Sequence, residues 1–472
     1  MKNIKNKTIM GLSQVKRKML LTWITGLVLF CMGCDNFVDI ELPKSQLNSS
    51  DIFQDKATAD AAMTNIYAKM RDTGLLTGGM EGMSHQLGNY TDELTFYGNA
   101  SATSKNFHTN SLLVTNRNVA DWWNFTYNQI YDANALYEGV HNSTALSTED
   151  KNRLKGEALF VRALLHFYLV NLYGNIPYIV TTDYTENSGV HRLTENEVYI
   201  KIKTDLTTAI ELLPEEYHSS ERVRPNKFVA HALLSRVDLY MGLWDEAANE
   251  ASAVLNNTIY SLQTNLDLSF LKDSPATIWQ FSSSASGNNT IEATTFIFNS
   301  GPPPNSALSQ NLIESFEAGD KRKAQWTTAI TDGNETWFYP SKYKQNENTG
   351  SSTEFSIVLR IEEQYLIRAE ARARQGDLIG AKEDLNSIRN KGGIGETKAV
   401  SQQEIIDAIL RERNVELFTE FGHRFFDLKR TNSLDAALIS VKPGWNSFER
   451  QLPLPQAELL INPNLLPQNT GY

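Results

Sequence analysis

Cysteine is nearly absent: the 472 residues hold only Cys31 and Cys34, both close to the N-terminus. No internal disulfide framework can form, and a zinc site would lack thiolates. Basic charge is also short, with 44 Lys and Arg against 55 Asp and Glu and a formal net charge of -11. That balance argues against broad nucleic-acid binding. Long apolar runs are missing too. The run from Met19 to Phe30 falls short of the about 20 residues a spanning helix needs, and no later stretch approaches that length without charges. The chain carries no G-x-S-x-G elbow, Walker loop, dinucleotide fingerprint or H-E-x-x-H spacing. At 41% hydrophobic and 21% charged residues it reads as globular, which excludes a collagen-like or disordered chain. Its length allows one large domain or a few smaller ones around a substantial core.

What is present begins with a targeting pattern. Lys2, Lys5, Lys7, Lys16, Arg17 and Lys18 precede the apolar run, as in a secretory signal; a membrane anchor is the alternative. Phe30-Cys31-Met32-Gly33-Cys34-Asp35 resembles a bacterial lipoprotein cleavage site. Gly33 supplies the small residue, and Cys34 would become the lipidated first residue. Cys31 stands where Leu is usual. Buried acyl chains supply about 0.8 kcal/mol per CH₂, enough to turn an exported chain into an anchored one. Loss of residues 1–33 removes six basic residues and no acidic ones, so 38 basic against 55 acidic leaves -17. Such a surface repels phosphate backbones and anionic lipid.

Residues 35–55 read as an extended tether. Helical spacing then predicts helices over Thr58–Met70, Val119–Glu138, Leu154–Val170 behind a Ser147 cap, and Asn196–Leu213. Residues 71–116, rich in Gly, Ser, Thr and Asn, read as loops, and long irregular segments often carry function. Lys227–Tyr240 and Asp245–Leu255 flank a Gly242-Leu243-Trp244 corner. Ile361–Gln375 and Leu378–Arg389 repeat the pattern across Gly376-Asp377. Small residues at the crossings and Gly at the turn are ingredients of tetratricopeptide-type hairpins, with isolated hairpins as the alternative. Between the pairs, residues 258–355 lose helical periodicity, with short strands predicted at Thr277–Phe281 and Ser356–Leu359.

Several ordered motifs resemble the RagB/SusD family of outer-membrane nutrient-binding lipoproteins. They include RIEEQYLIRAEA from Arg360 to Ala371, NSIRNKGG from Asn386 to Gly393, and ERNVELFTEFGHRFFDLKR from Glu412 to Arg430. The ending QLPLPQAELLINPNLLPQNTGY, residues 451–472, fits as well. In the N-terminal half, Glu157–Leu164 followed by Tyr173-Gly174-Asn175-Ile176-Pro177, the Leu42-Pro43 tether and the Trp122-Trp123 helix agree. The resemblance implies a mainly α fold of tetratricopeptide-like hairpins, a SusD-like superhelix with an irregular loop-rich ligand-binding part. It implies a signal over 1–33, an N-terminal part over 34–220 and a C-terminal part over 221–472, packed as one unit. It further implies a lipid-anchored, surface-facing protein of the outer membrane. Its partner would be a SusC-like TonB-dependent transporter, its ligand a glycan, and no catalytic step or cofactor is expected. An uptake lid for peptide or another non-glycan nutrient is the alternative; a surface glycoside hydrolase and a purely structural scaffold are further classes.

Glu412, Glu416 and Glu420 stack on one helical face and need cations, for which Arg413, Arg424 and Arg430 are at hand. Beside Phe418, Phe421, Phe425 and Phe426 they predict a buried ion-pair lattice rather than a general acid/base pair. His166 reads as a packed core residue, whereas His85 and His108 fall in loops that could meet ligand. Aromatics set in polar loops either anchor the loops to the core or form an exposed platform for sugar rings. On position and residue type, the candidate ligand contacts are Tyr90, Asp92, Tyr97, Trp279, Trp337 and Tyr343, the rings to stack and Asp92 to accept hydroxyl hydrogen bonds.

Overall fold

Helix starts follow local side-chain chemistry. The computed structural model describes residues 52–472; Cys34, the signal segment and most of the tether lie outside them. Asp55 accepts hydrogen bonds from the amides of Ala57 and Thr58 and opens α1 (Lys56–Asp72). α2 (Met83–Tyr90) follows, then α3 (Arg117–Asn142), capped by Asn116. The Ser147 hydroxyl accepts from the Asp150 amide and opens α4 (Thr148–Tyr173). A Thr194–Glu197 capping box opens α5 (Glu195–Leu212). α6 (Lys227–Met241) ends at Gly242 with φ 73° and turns into α7 (Trp244–Leu255). α8 (Ile361–Gln375) ends at Gly376 with φ 90° and turns into α9 (Leu378–Lys391), so the two sequence-predicted hairpins share one left-handed glycine exit. α10 (Gln402–Glu416) and α11 (His423–Arg430) complete the long elements.

The fold is mainly helical. Successive helices from α3 to α9 pack neighbour on neighbour, and α10 packs on α8, as tetratricopeptide-like stacking requires. α4 sits at the centre and is buried on every side from Gly156 to Tyr173. Its polar residues therefore need internal partners. Glu157 accepts from Arg153 at 2.9 Å and from both nitrogens of Arg224 that face it, Arg162 forms a two-pronged pair with Asp205 at 2.7 Å, and His166 contacts the Arg162 carbonyl at 2.8 Å. His166 is thus a packed core residue, as its sequence setting predicts.

Short strands carry the remainder: β1 (Leu94–Phe96), β2 (Thr277–Phe281), β3 (Ser306–Leu308), β4 (Thr327–Thr331), β5 (Thr336–Pro340) and β6 (Ser356–Arg360). β2 and β6 pair antiparallel, with Thr277 opposite Arg360 and Phe281 opposite Ser356, and both are wholly buried. They close the neck of the segment 282–355. β1 pairs with β3, and β4 with β5 form a hairpin. Segment 71–116 departs from its loop expectation: it contains α2, β1 and the short helix Thr103–His108. Every residue of α2 is buried, so tertiary packing overrides a composition that reads as irregular. Three short helices, Ile291–Phe296, Gln310–Ser315 and Lys321–Trp326, also punctuate 258–355; six residues are too few to show a helical period.

Glu412 and Glu416 on α10, with Glu420 past the end of the helix rather than on its face, form the buried lattice, with different cations from those expected. Glu412 and Glu416 pair with Arg322 at 2.6 and 2.8 Å, and Glu416 also meets Arg360 and Lys391 at 2.6 Å each. Glu420 meets Arg360 at 2.8 Å and Lys342. Arg413, Arg424 and Arg430 instead serve Asp427, Asp92 and Glu370. Arg413 reaches across to Asp427 on α11, Arg424 and Arg430 lie on α11 itself, and the row draws its cations from elements distant in sequence.

Burial alone would raise the Glu416 carboxyl, but Lys391, Arg360 and Arg322 outweigh it and hold it well below its ordinary 4.5. A depressed carboxyl stabilises the fold above the unfolded value, and that contribution is lost as pH falls through the folded one. Glu416→Gln leaves three cations under-paired and should cost about 3–5 kcal/mol in urea unfolding at pH 7. The deficit should shrink as the pH is lowered below 4.5. A loss under about 1 kcal/mol would show that the lattice is dispensable.

Candidate functional site

β5 alternates its side chains in the manner of any strand. Trp337 and Tyr339 fall on one face with Phe298 and Ala307, while Phe338 packs against the cluster around Trp326 and Tyr343. Phe298 and Tyr339 meet edge to face at 5.3 Å between centroids. Tyr97, just beyond β1, brings its ring to 6.4 Å from Trp337 at an interplanar angle of 86°. The Tyr97 and Gly98 amides both donate to the Asn305 carbonyl, at 2.6 and 3.0 Å, which fixes this edge of the patch.

The two rings play different parts. Tyr97 is 42% exposed and Trp337 only 6%. Gly301 explains the second figure: a Cβ there would lie 1.9 Å from the indole Cζ3, so the glycine backbone lies directly on the Trp337 ring. Trp337 is a buttress, and Tyr97 is the face that solvent reaches. Burial raises the Tyr97 phenol, and the nearby Glu335 carboxylate adds to the rise, so the hydroxyl stays protonated as a donor. At the hairpin tip Asp332 accepts from the Asn334 and Glu335 amides at 2.8 and 2.9 Å. These bonds hold its carboxyl below the usual range, charged and exposed at the tip of the hairpin.

The other candidates lie elsewhere. Trp279 is fully buried against Tyr67, Phe160 and Phe281, and its indole N–H donates to the Val223 carbonyl at 3.2 Å. Tyr90 is buried among Phe107, Phe425 and Trp445 and donates to the Glu449 carbonyl at 3.0 Å. The Tyr343 hydroxyl accepts from the Ile357 amide at 2.8 Å, with its ring on Phe270. These three rings are anchors here, with no free face for a ligand. Asp92 is clamped two-pronged by Arg424 at 2.8 and 2.6 Å, so its acceptors are taken. His85 is buried, touching the Met80 carbonyl at 2.9 Å and the Ser306 hydroxyl at 3.1 Å, and burial lowers it to about 4. His108 is lowered to about 4 by burial and then by Lys442. The structure thus joins only Tyr97 and Trp337 of the six candidates. Among the described residues, no three His, Cys, Asp or Glu are grouped to hold a metal ion.

Two family models match this chain. Residues 36–239 fit one described as "Starch-binding associating with outer membrane", and residues 319–472 fit that of the SusD family. The chain belongs to the SusD/RagB family. SusD-like protein P2 of Formosa agariphila is 28% identical, across 97% of this chain and 100% of its own. SusD-like protein P25 of the same organism is 23% identical, across 94% and 98%. Among solved structures, a SusD superfamily protein of Bacteroides vulgatus superposes with a TM-score of 0.78 at 20% identity, covering 89% of this chain and 99% of its own. A laminarin-binding SusD-like protein superposes with a TM-score of 0.74 at 25% identity, covering 88% and 99%.

Phe298 and Gly301 in this SusD/RagB chain are absent from the sequence reading, and Tyr339 figures there only among the aromatics of the irregular segment. The signal was available: Asp332-Gly333 followed by alternating rings at 337 and 339 marks a hairpin. Glu93, which the sequence offers with Asp92 as loop oxygens for a metal, has a part in the fold. It is buried beneath β1, where its Oε1 accepts from the Thr419 amide at 3.2 Å, and burial followed by the Asp92 charge pushes it up to about 8. A raised carboxyl stabilises the fold below its unfolded value of 4.5, and that contribution is lost as pH rises through about 8. Glu93→Gln, which keeps the neutral shape, should therefore match the native chain at pH 4. At pH 8 it should exceed it by on the order of 2–4 kcal/mol in denaturant unfolding. A variant weaker than the native chain at both pH values would mean that Glu93 is ionised in the fold.

Proposed function

We propose that this protein is a cell-surface glycan-binding subunit that captures oligo- or polysaccharide for uptake through a SusC-like TonB-dependent outer-membrane transporter. The observation that carries this reading is the solvent-facing Tyr97 ring, braced at 86° by Trp337, with the Glu335 carboxylate near enough to raise its phenol. A sugar presents an apolar C–H face and a hydroxyl rim, and an exposed ring beside charged acceptors suits both. Membership of a family with a starch-binding description, and the laminarin-binding relative of like fold, support the same class of ligand. In this reading Cys34 carries the acyl chains, and the protein faces the cell exterior from the outer membrane. No helix among the described residues is long and apolar enough to cross a membrane, which agrees with a lipid anchor. The patch offers binding groups and no opposed carboxyl pair, so the proposed role includes no bond cleavage.

The test is affinity electrophoresis of the mature chain on a panel of soluble polysaccharides, laminarin and starch among them. Tyr97→Ala, which removes an exposed ring, should weaken retention about tenfold without shifting thermal unfolding. Retention by peptides alone, or release of reducing sugar by the pure protein, would overturn the reading. For the anchor, Cys34→Ser should move the protein from the membrane fraction to the soluble fraction of the cell envelope. Persistence in the membrane would reject lipidation at that residue.

A further inference from the structure

A second concavity lies on elements that share nothing with the Tyr97 patch. It is a cleft of about 580 Å³ between α3, the segment after Pro177 and the short C-terminal helix Gln456–Ile461. That volume falls within the range that ordinary ligand sites occupy. One wall is a ladder on α3, in which Trp123, Tyr127 and Tyr131 recur every four residues and so stack on one helical face. Trp123 and Tyr127 meet at 4.8 Å, and the Tyr127 hydroxyl is fixed by donating to the Pro177 carbonyl at 2.8 Å. Tyr131 at the rim is 49% exposed. One position along from the first two rings stand Asn124 and Asn128, both exposed and both lining the cleft. Among the described residues neither amide has a side-chain hydrogen-bond partner, although each has two donors and an acceptor to offer.

The opposite wall brings in Glu458. It is partly buried, and burial raises its carboxyl; among the described residues no cation pairs with it. A half-buried acceptor without a cation is costly unless donors reach it from outside. Sugar hydroxyls are such donors. The same carboxylate, in a chain of net -11, repels sulfated or uronic sugars. Graded ring exposure, unpaired amides and one lone acceptor together describe a site for a neutral sugar chain.

We infer that the cleft between α3 and the C-terminal helix is a second glycan-binding site, which takes a neutral oligosaccharide on the Tyr127–Tyr131 face, with the buried Trp123 ring as the floor behind it. The inference rests on the glycan-binding reading above and adds a place, independent of the Tyr97 patch, where the same chain can be held. Two sites on one protein raise retention of a long polysaccharide by avidity, while a short oligosaccharide fills them separately.

Calorimetric titration of the mature chain with laminarin and starch hexasaccharides separates the possibilities. For whichever sugar binds, the native chain should take up two molecules. Tyr131→Ala and Asn128→Ala should each abolish or weaken one site about tenfold and leave the other intact. Both residues are solvent-exposed, so neither change threatens folding, and unchanged thermal unfolding checks this. A single site, lost in Tyr97→Ala and untouched in Tyr131→Ala, would overturn the cleft inference and leave the glycan-binding reading standing. No uptake of any sugar on the polysaccharide panel would sink both. Occupation of the cleft by an oligolysine peptide in place of sugar would overturn the cleft inference by showing Glu458 to be a cation acceptor.

Discussion

Everything else in the molecule hangs on the carboxylates of Glu412, Glu416 and Glu420, buried in a row along and just beyond α10. Their cations come from four separate places: Arg322 in a short helix of the irregular part, Lys342 just after β5, Arg360 at the end of β6 and Lys391 at the end of α9. One buried charge cluster therefore fastens the helical stack to the segment that loops out of it. A hydrophobic contact tolerates sliding, but a desolvated ion pair does not, because its attraction offsets desolvation only at close, well-directed geometry. Lys342 adds direction of its own, donating to the carbonyls of Glu416 and Phe418 at 2.9 and 2.8 Å. It stands two residues past Pro340, the last residue of the strand that carries Trp337. The hairpin's position thus follows from the lattice.

That coupling accounts for which aromatics face inward. Segment 282–355 is gripped at its neck by β2 and β6 and at Lys342 by the lattice, and each grip needs apolar packing around it. Trp279 fills the neck. Trp326 and Tyr343 sit beside Lys342 and Arg360, with the Lys342 ammonium 5.3 Å from the Trp326 ring and the Arg360 guanidinium 5.5 Å from that of Phe270, on which Tyr343 packs. The β4–β5 hairpin runs out from the Lys342 grip, and its strand β5 backs the exposed Tyr97 ring. There the turn at Gly333 leaves a polar tip, and strand alternation puts Trp337 and Tyr339 on the face that meets Tyr97.

Much of the helical scaffold was legible because long helices declare themselves by period and by their ends. Ile361–Gln375 lies in the structure where the sequence placed it, and Leu378–Arg389 gains only two residues. The glycines and caps that end those helices are local and unambiguous. α2 was not legible. Its residues MSHQLGNY look like a loop, and they are helical because the fold surrounds them and supplies partners from distant segments, as Ser306 does for His85 and Asn89 and Ser104 for the Gln86 amide nitrogen. The lattice was legible as a need for cations but not in its pairing, because the cations lie tens of residues away and no period links them to α10. The candidate site divided in the same way. Residue type identified the rings, but exposure is a property of the packed fold, so Tyr97 could not be told from Tyr90 beforehand. The α3 ladder was hidden by its own helix, since Trp123, Tyr127 and Tyr131 carry the spacing of ordinary core residues.

The most recognisable stretch of the sequence, Glu412 to Arg430, contains the least relaxed backbone in the fold. Thr419 and Phe421 hold φ at 54° and 41°, and Gly422 at 76°, in one sharp reversal between α10 and α11. Two non-glycine residues in that region cost of order 1–3 kcal/mol each and persist only where surroundings over-determine them. The surroundings here come from segment 71–116. Glu93 accepts from the Thr419 amide, and the Ser84 hydroxyl accepts from the Phe421 amide at 2.9 Å. Arg424 on α11 then clamps Asp92. Two backbone hydrogen bonds and one two-pronged ion pair pin the reversal to α2 and to the residues leading into β1, whose far end delivers Tyr97. The reversal and the aromatic patch are therefore two ends of one short mechanical link, and burial of the Glu93 carboxyl within it favours the neutral form.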